Sequence, residues 1–113
     1  MGTGLRAAIA GTGFIAGVHA HAVRAAGGQV VAVLGSSPAG TAAGVDALGA
    51  VRGAADIEEL AAADDVDVVH ICTPNNAHVA MAEAVLAAGK DVICEKPLAT
   101  SVADATRDRK SVV

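Results

Sequence analysis

Apolar residues run along this chain in short blocks, each closed by glycine, serine or proline, and the stretches between them repeat at helical spacing. LRAAIAG (5–11) is a short apolar run ending in glycine. In FIAGVHAHAVRAAGG, which follows it, Ile15, Val18, Ala22 and Val23 fall on one side before a double-glycine stop. The pattern predicts strand, tight turn and helix. QVVAVLG (29–35) is a second buried-strand pattern, and SSPAGTAAGVDALGA then predicts a loop and a short helix weakened by glycine. AVRG (50–53) reads as a brief third strand. DIEELAAAD opens with Asp56 in the N-cap position and Glu59 three residues on, the order of a capping box. VDVVHICT (66–73) is the strongest strand, with β-branched Val68, Val69 and Ile71 ahead of Thr73 and Pro74. A helix from about Asn76 to Ala88 should stop at Gly89, and DVICE (91–95) supplies a fifth strand. Strand and helix alternate at connection lengths that suit right-handed crossovers, so the expected fold class is α/β, an open, doubly wound parallel sheet of Rossmann type with helices on both faces.

Composition narrows this. With 113 residues the chain is long enough for one domain. It is 53% hydrophobic with a single aromatic, Phe14, so its core must be built from Ala, Val, Leu and Ile, a set that lets helices lie close on a sheet. Eight Lys and Arg against twelve Asp and Glu give a formal charge of -4, with neither a basic block nor aromatics to stack on bases, which argues against a nucleic-acid partner. The mean hydropathy of +0.51 invites a membrane reading, but no sustained apolar run reaches the roughly 20 residues of a span, so no membrane partner is expected. Arg6, the apolar run after it and AHA at 20–22 imitate a secretory signal, yet the glycines inside that run have a better use. MGTGLR lacks the Ser or Thr that a myristoylation site wants where Arg6 stands. Cys72 and Cys94 sit in strand-like runs as small hydrophobes, with no disulfide framework and no metal spacing. A cytoplasmic location is expected.

That better use is chemical. GTGFIAG sets Gly11, Gly13 and Ala16 in a G-x-G-x-x-A order between a predicted strand and a predicted helix. There Gly11 permits the tight turn, Gly13 keeps a Cβ away from a pyrophosphate, and Ala16 lets the helix approach the strand. Thr12, Phe14 and Ile15 complete the turn and open the helix, whose free N–H groups face the phosphates. About 20 positions after the first glycine, a carboxylate would bind the ribose hydroxyls of NAD. Here VLGSSP places Gly35 in that slot, followed by Ser36 and Ser37, whose hydroxyls can donate to a 2′-phosphate. NADP is therefore favoured over NAD, although no arginine follows closely. His70 lies within a strand and reads as a satisfied core histidine, while His19 and His21 have no metal-spaced partner.

TPNNAH (73–78) and EKP (95–97) both fall at predicted strand ends, where a doubly wound sheet binds its ligands. The set GTGFIAG, TPNNAH and EKP, in this order and spacing, resembles the Gfo/Idh/MocA oxidoreductases, over about residues 5–107. The resemblance implies that Lys96 contacts the reacting hydroxyl and helps proton transfer, that Glu95 and Pro97 position it, and that Thr73, Pro74, Asn75 and His78 line the cofactor. A lysine there is chemically apt, since oxidising an alcohol requires its proton to leave as hydride departs. The function expected is that of the nucleotide-binding part, 1–107, of an NAD(P)-dependent oxidoreductase acting on a sugar, inositol or related polyol, whose full-length form is a homo-oligomer. A stand-alone nucleotide sensor is the alternative, and it would have no need of the EKP lysine. A dihydrodipicolinate-reductase-like enzyme would not carry TPNNAH followed by EKP.

Family members continue into a sixth strand and a second α/β domain holding the substrate pocket, often with a catalytic Asp and His. Asp108 to Val113 follow neither that course nor the hydrophobic pattern of SVADATRD before them. They are compatible with the codons GAT CGG AAG AGC GTC GTG, a widely used sequencing-adapter string whose next triplet, TAG, is a stop, so residues 108–113 are expected to be a non-native tail. The 113-residue chain is then expected to bind a dinucleotide weakly, to leave apolar surface uncovered around Val92 and Ile93, to dissolve poorly and to show no turnover.

Overall fold

The computed structural model of the chain describes residues 5–73 and 75–94, and of 75–78 the backbone course alone. Among these residues nine elements alternate as expected: β1 (Arg6–Ala10), α1 (Phe14–Ala25), β2 (Gln29–Leu34), α2 (Pro38–Leu48), β3 (Arg52–Gly53), α3 (Ile57–Ala62), β4 (Val68–Ile71), α4 (Asn75–Ala87) and β5 (Asp91–Cys94). Among the described residues the sheet has the order β3-β2-β1-β4-β5 with every pair parallel. The chain winds outward from β1 to β3, and α3 then carries it back across to the other side of β1. This makes β1 and β4 the neighbours between which the winding reverses.

Side chains of successive strand residues go to opposite faces, and the two faces carry separate cores. Ala8, Ala10, Val69, Ile71 and Val92 pack with Leu60, Ala82 and Val85 under α3 and α4. Ile9, Val30 and Val33 pack with Ala16, Ala20 and Leu48 under α1 and α2. Both layers depend on small residues close to the sheet, while the fully buried Ile9, Ile71, Leu60 and valines each contribute about 1.5–3 kcal/mol of burial. At the N-terminal edge of the strands Arg6 clamps the turn before β4. Its Nε and Nη2 donate to the Asp67 carboxylate at 3.1 and 3.0 Å, its backbone N–H donates to the same carboxylate at 2.9 Å, and the Asp67 N–H donates to the Arg6 carbonyl at 2.7 Å. That guanidinium holds the Asp67 carboxyl down at about 2.

Two expectations need correction. The second helix is not short: α2 runs for 11 residues, capped by Ser37, whose Oγ accepts the Gly40 N–H at 3.0 Å, with Pro38 in its first turn. Gly44 serves packing, since a Cβ there would stand 2.5 Å from the Thr12 methyl. Nor is Val92 uncovered. α4 folds back over β5 and buries it completely, while Ile93, on the other face, is half-buried. The Asp56 cap holds as expected, its Oδ1 accepting the Glu59 N–H at 2.8 Å, while Glu59 Oε1 reaches past the cap residue to the Ala55 N–H at 2.5 Å. Among the described residues no helix is long and apolar enough to cross a membrane.

Candidate functional site

The C-terminal ends of β1, β2 and β4 converge on one cleft of about 570 Å³. Gly11 begins it. Its N–H donates to the Leu34 carbonyl at 2.7 Å, and the Cys72 N–H donates to the Ala10 carbonyl at 2.8 Å, so the ladder on each side of β1 runs one residue beyond the strand. The chain then turns at a φ of +124° on Gly11, where an added Cβ would meet the Cys72 carbonyl carbon and oxygen at 2.9 Å. Glycine is required twice over, by conformation and by contact. Gly13 differs: a Cβ there would meet nothing within 4 Å, because the residue faces open space at the mouth of the cleft.

Gly13 also caps α1 without a side-chain bond, and the first turn of that helix contains no acidic residue. The leading N–H groups of a helix have no partner within it, so this end presents donors and a partial positive charge to an anion. At the far end the Arg24 guanidinium donates to the Leu48 carbonyl and complements the opposite pole. Gly11–Gly13, Leu34–Ser36, Cys72, Thr73 and Met81 line the cleft together. Ser37 lies in an adjoining hollow of about 670 Å³ that shares Gly35 and Ser36.

The expected residues divide accordingly. Gly11, Thr12, Gly13, Ser36 and Thr73 line the cleft, with Ser37 beside it. Phe14 is 84% exposed and Ile15 also opens to solvent, and both stand outside the lining. Ala16 is wholly buried among Ile9, Ala20 and Val33, and contributes by letting α1 approach the sheet. Asn75 and His78 fall in the first turn of α4, on backbone grounds alone. Pro74 and the EKP residues Glu95, Lys96 and Pro97 lie outside the described residues.

The sequence did not mark Cys72, Met81 or Thr41. Cys72 is the first residue after β4, and Thr73 Oγ1 bonds the Met81 sulfur at 3.6 Å, a contact spanning a turn and half of α4. Thr41 Oγ1 accepts the Gly35 N–H at 2.8 Å. Behind the cleft, His19 of α1 and His70 of β4 meet Nδ1 to Nδ1 at 2.8 Å with their rings perpendicular. This is the satisfied core histidine expected of His70; burial, then the charge of His19, lowers its pKa to about 4.

Comparison with known proteins agrees with this geometry. Residues 5–110 match the model of the Gfo/Idh/MocA group, described as an oxidoreductase family with an NAD-binding Rossmann fold. The chain is 40% identical over 84 residues to a 1,5-anhydro-D-fructose reductase of Ensifer adhaerens, covering 74% of this chain and 25% of that protein. It is 41% identical over 96 residues to an inositol 2-dehydrogenase of Rhizobium meliloti, covering 83% and 28%. Among solved structures, an NAD binding oxidoreductase from Klebsiella pneumoniae superimposes with a TM-score of 0.88 at 34% identity, over 96% of this chain and 31% of that one. A biliverdin reductase from Synechocystis, in complex with biliverdin and NADP+, gives 0.83 at 36% identity, over 94% and 34%. The chain thus spans about a quarter to a third of the length of these relatives.

Proposed function

Because the chain belongs to the Gfo/Idh/MocA family of oxidoreductases with an NAD-binding Rossmann fold, we propose that its cleft holds a nicotinamide dinucleotide, NADP in preference to NAD. The observation that carries this is the joint placement of Gly11–Gly13, Gly35–Ser36 and Thr73 around one cleft where the sheet reverses its winding. Gly13 leaves room for the pyrophosphate, and the N-terminus of α1 supplies its N–H donors. Ser36 and Ser37 supply the hydroxyls nearest the ribose, and position 35 has no carboxylate to repel a 2′-phosphate, although Asp46 of α2 borders the same hollow. Thr73, Pro74, Asn75 and His78 would flank the nicotinamide half.

The dinucleotide supplies the hydride-accepting or hydride-donating carbon. Lys96 would carry the proton of the reacting hydroxyl, with Glu95 and Pro97 fixing its place beside the cleft. The substrate class is a sugar, inositol or related alcohol, matching what the named relatives act on. Residues 1–107 are the nucleotide-binding unit.

A thermal-shift titration with NADP and with NAD tests the binding, beside a screen of sugars and polyols for cofactor reduction. A midpoint that rises with NADP at lower concentration than with NAD supports the reading. No shift with either dinucleotide sinks it, and cofactor reduction that depends on a sugar or polyol supports the substrate class.

A further inference from the structure

The slot after β2 is empty of a side chain for a reason that lies in α2. A Cβ on Gly35 would come within 2.7 Å of the Thr41 amide nitrogen, 2.8 Å of the Gly40 carbonyl carbon and 3.1 Å of the Thr41 Cα. All three are backbone atoms of a helix, not the movable end of a side chain. Gly35 does not have a positive φ, so the demand for glycine here is one of space and not of conformation. Thr41 fastens this approach from two sides. Its hydroxyl accepts the Gly35 N–H at 2.8 Å, and its methyl sits where a Cβ on Gly53 would be 2.5 Å away. The first turn of α2 is thereby pinned to the exits of both β2 and β3, and the hollow bounded by Ser36, Ser37 and Thr41 takes its shape from that contact.

We propose that Thr41 is a positioning residue for cofactor choice: with the α2 backbone it closes position 35 to any side chain and leaves selection of the ribose to the exposed hydroxyls of Ser36 and Ser37. The proposal rests on the dinucleotide reading of the cleft and deepens it. A carboxylate that would select the NAD ribose cannot be installed at position 35 without pushing α2 off the sheet, so the usual single exchange should not convert this site.

The 113-residue chain has no Trp or Tyr, so nicotinamide fluorescence reads binding against a dark protein background. Dissociation constants for NADPH and NADH, and unliganded melting midpoints, would be measured for the unaltered chain, Gly35→Ala, Gly35→Asp, Thr41→Val and Thr41→Ser. Gly35→Ala and Gly35→Asp should both lower the unliganded midpoint, and Gly35→Asp should leave NADH binding no tighter than before. Thr41→Val, which keeps the shape and loses the acceptor, should weaken NADPH by about threefold to tenfold, the range of one lost hydrogen bond. Thr41→Ser should restore it to within about twofold. Tighter NADH binding by Gly35→Asp at an unchanged midpoint, or NADPH binding by Thr41→Val equal to that of the unaltered chain, overturns the proposal while leaving dinucleotide binding intact. An unaltered chain that binds neither cofactor overturns the functional reading itself, and this one with it.

Discussion

A Cβ on Gly11 would press against the Cys72 carbonyl at 2.9 Å from a backbone already at a φ of +124°, whereas one on Gly13 would meet nothing within 4 Å. Two glycines two residues apart therefore answer to different constraints, folding at Gly11 and ligand access at Gly13. Gly11→Ala should cost the unliganded protein about 1–3 kcal/mol or more, because strain and contact add. Gly13→Val places a β-branched residue on extended backbone, at φ -82° and ψ -164°, which it tolerates. Its unliganded stability should change by no more than about 1 kcal/mol, the scale of an N-cap exchange, while the melting shift caused by NADP disappears. Thermal melts with and without NADP separate the two. A Gly13→Val protein that responds to NADP like the unaltered chain would show that the pyrophosphate does not pass over this turn.

Among the described elements, α3 is the shortest helix and performs the longest crossover, taking the chain from β3 at one side to β4 across β1. Six residues do not make a stable helix alone, so its ends and its buried Leu60 and Ala61 must hold it. Asp56→Ala removes the oxygen that accepts the Glu59 N–H and should cost about 1 kcal/mol, recovered by Asp56→Asn. Urea midpoints check this, and an unchanged midpoint for Asp56→Ala would show that packing alone fixes α3. This cap was legible because it is local: an aspartate, a glutamate three residues on, and an apolar run. The strands and the glycine turn were legible for the same reason. The length of α2 was not, because propensity counts Gly40 and Gly44 against a helix, whereas the reason for Gly44 is a neighbour on another element, the Thr12 methyl. The burial of Val92 by α4 and the part of Met81 in the cleft lining also come from elements returning across the sheet, which no short window of sequence contains.

For the molecule as a whole, the histidine pair ties the α1 layer to β4, and so joins the half of the sheet that holds the glycine turn to the half that leads into Thr73. With both rings neutral, or with one charged, one Nδ1–H donates and the other Nδ1 accepts. With both charged, two donors face each other at 2.8 Å. His19 faces His70 from α1, and Asp91 of β5 borders the same groove as His70. Burial, then the charge of His19, lowers the His70 pKa to about 4, against about 6.5 in an unfolded chain. Between these values the unfolded chain binds the extra proton, so stability rises with pH through this window. The contribution is full above about pH 6.5 and is lost as the pH falls toward 4, on the order of 2–3 kcal/mol across the range. Asp67, held down at about 2 by Arg6, acts in the opposite chemical sense but in a separate window: its contribution is present above the ordinary carboxylate value near 3.8 and is lost only as the pH falls toward 2. Acid unfolding should therefore have two stages of loss, the first belonging to His70. Urea unfolding at pH 7 and pH 5 should give a lower midpoint at pH 5 for the unaltered chain, and His70→Gln, which keeps a polar group but does not titrate, should shrink that difference. An undiminished difference in His70→Gln would assign the loss to other groups and leave the pair a structural contact only.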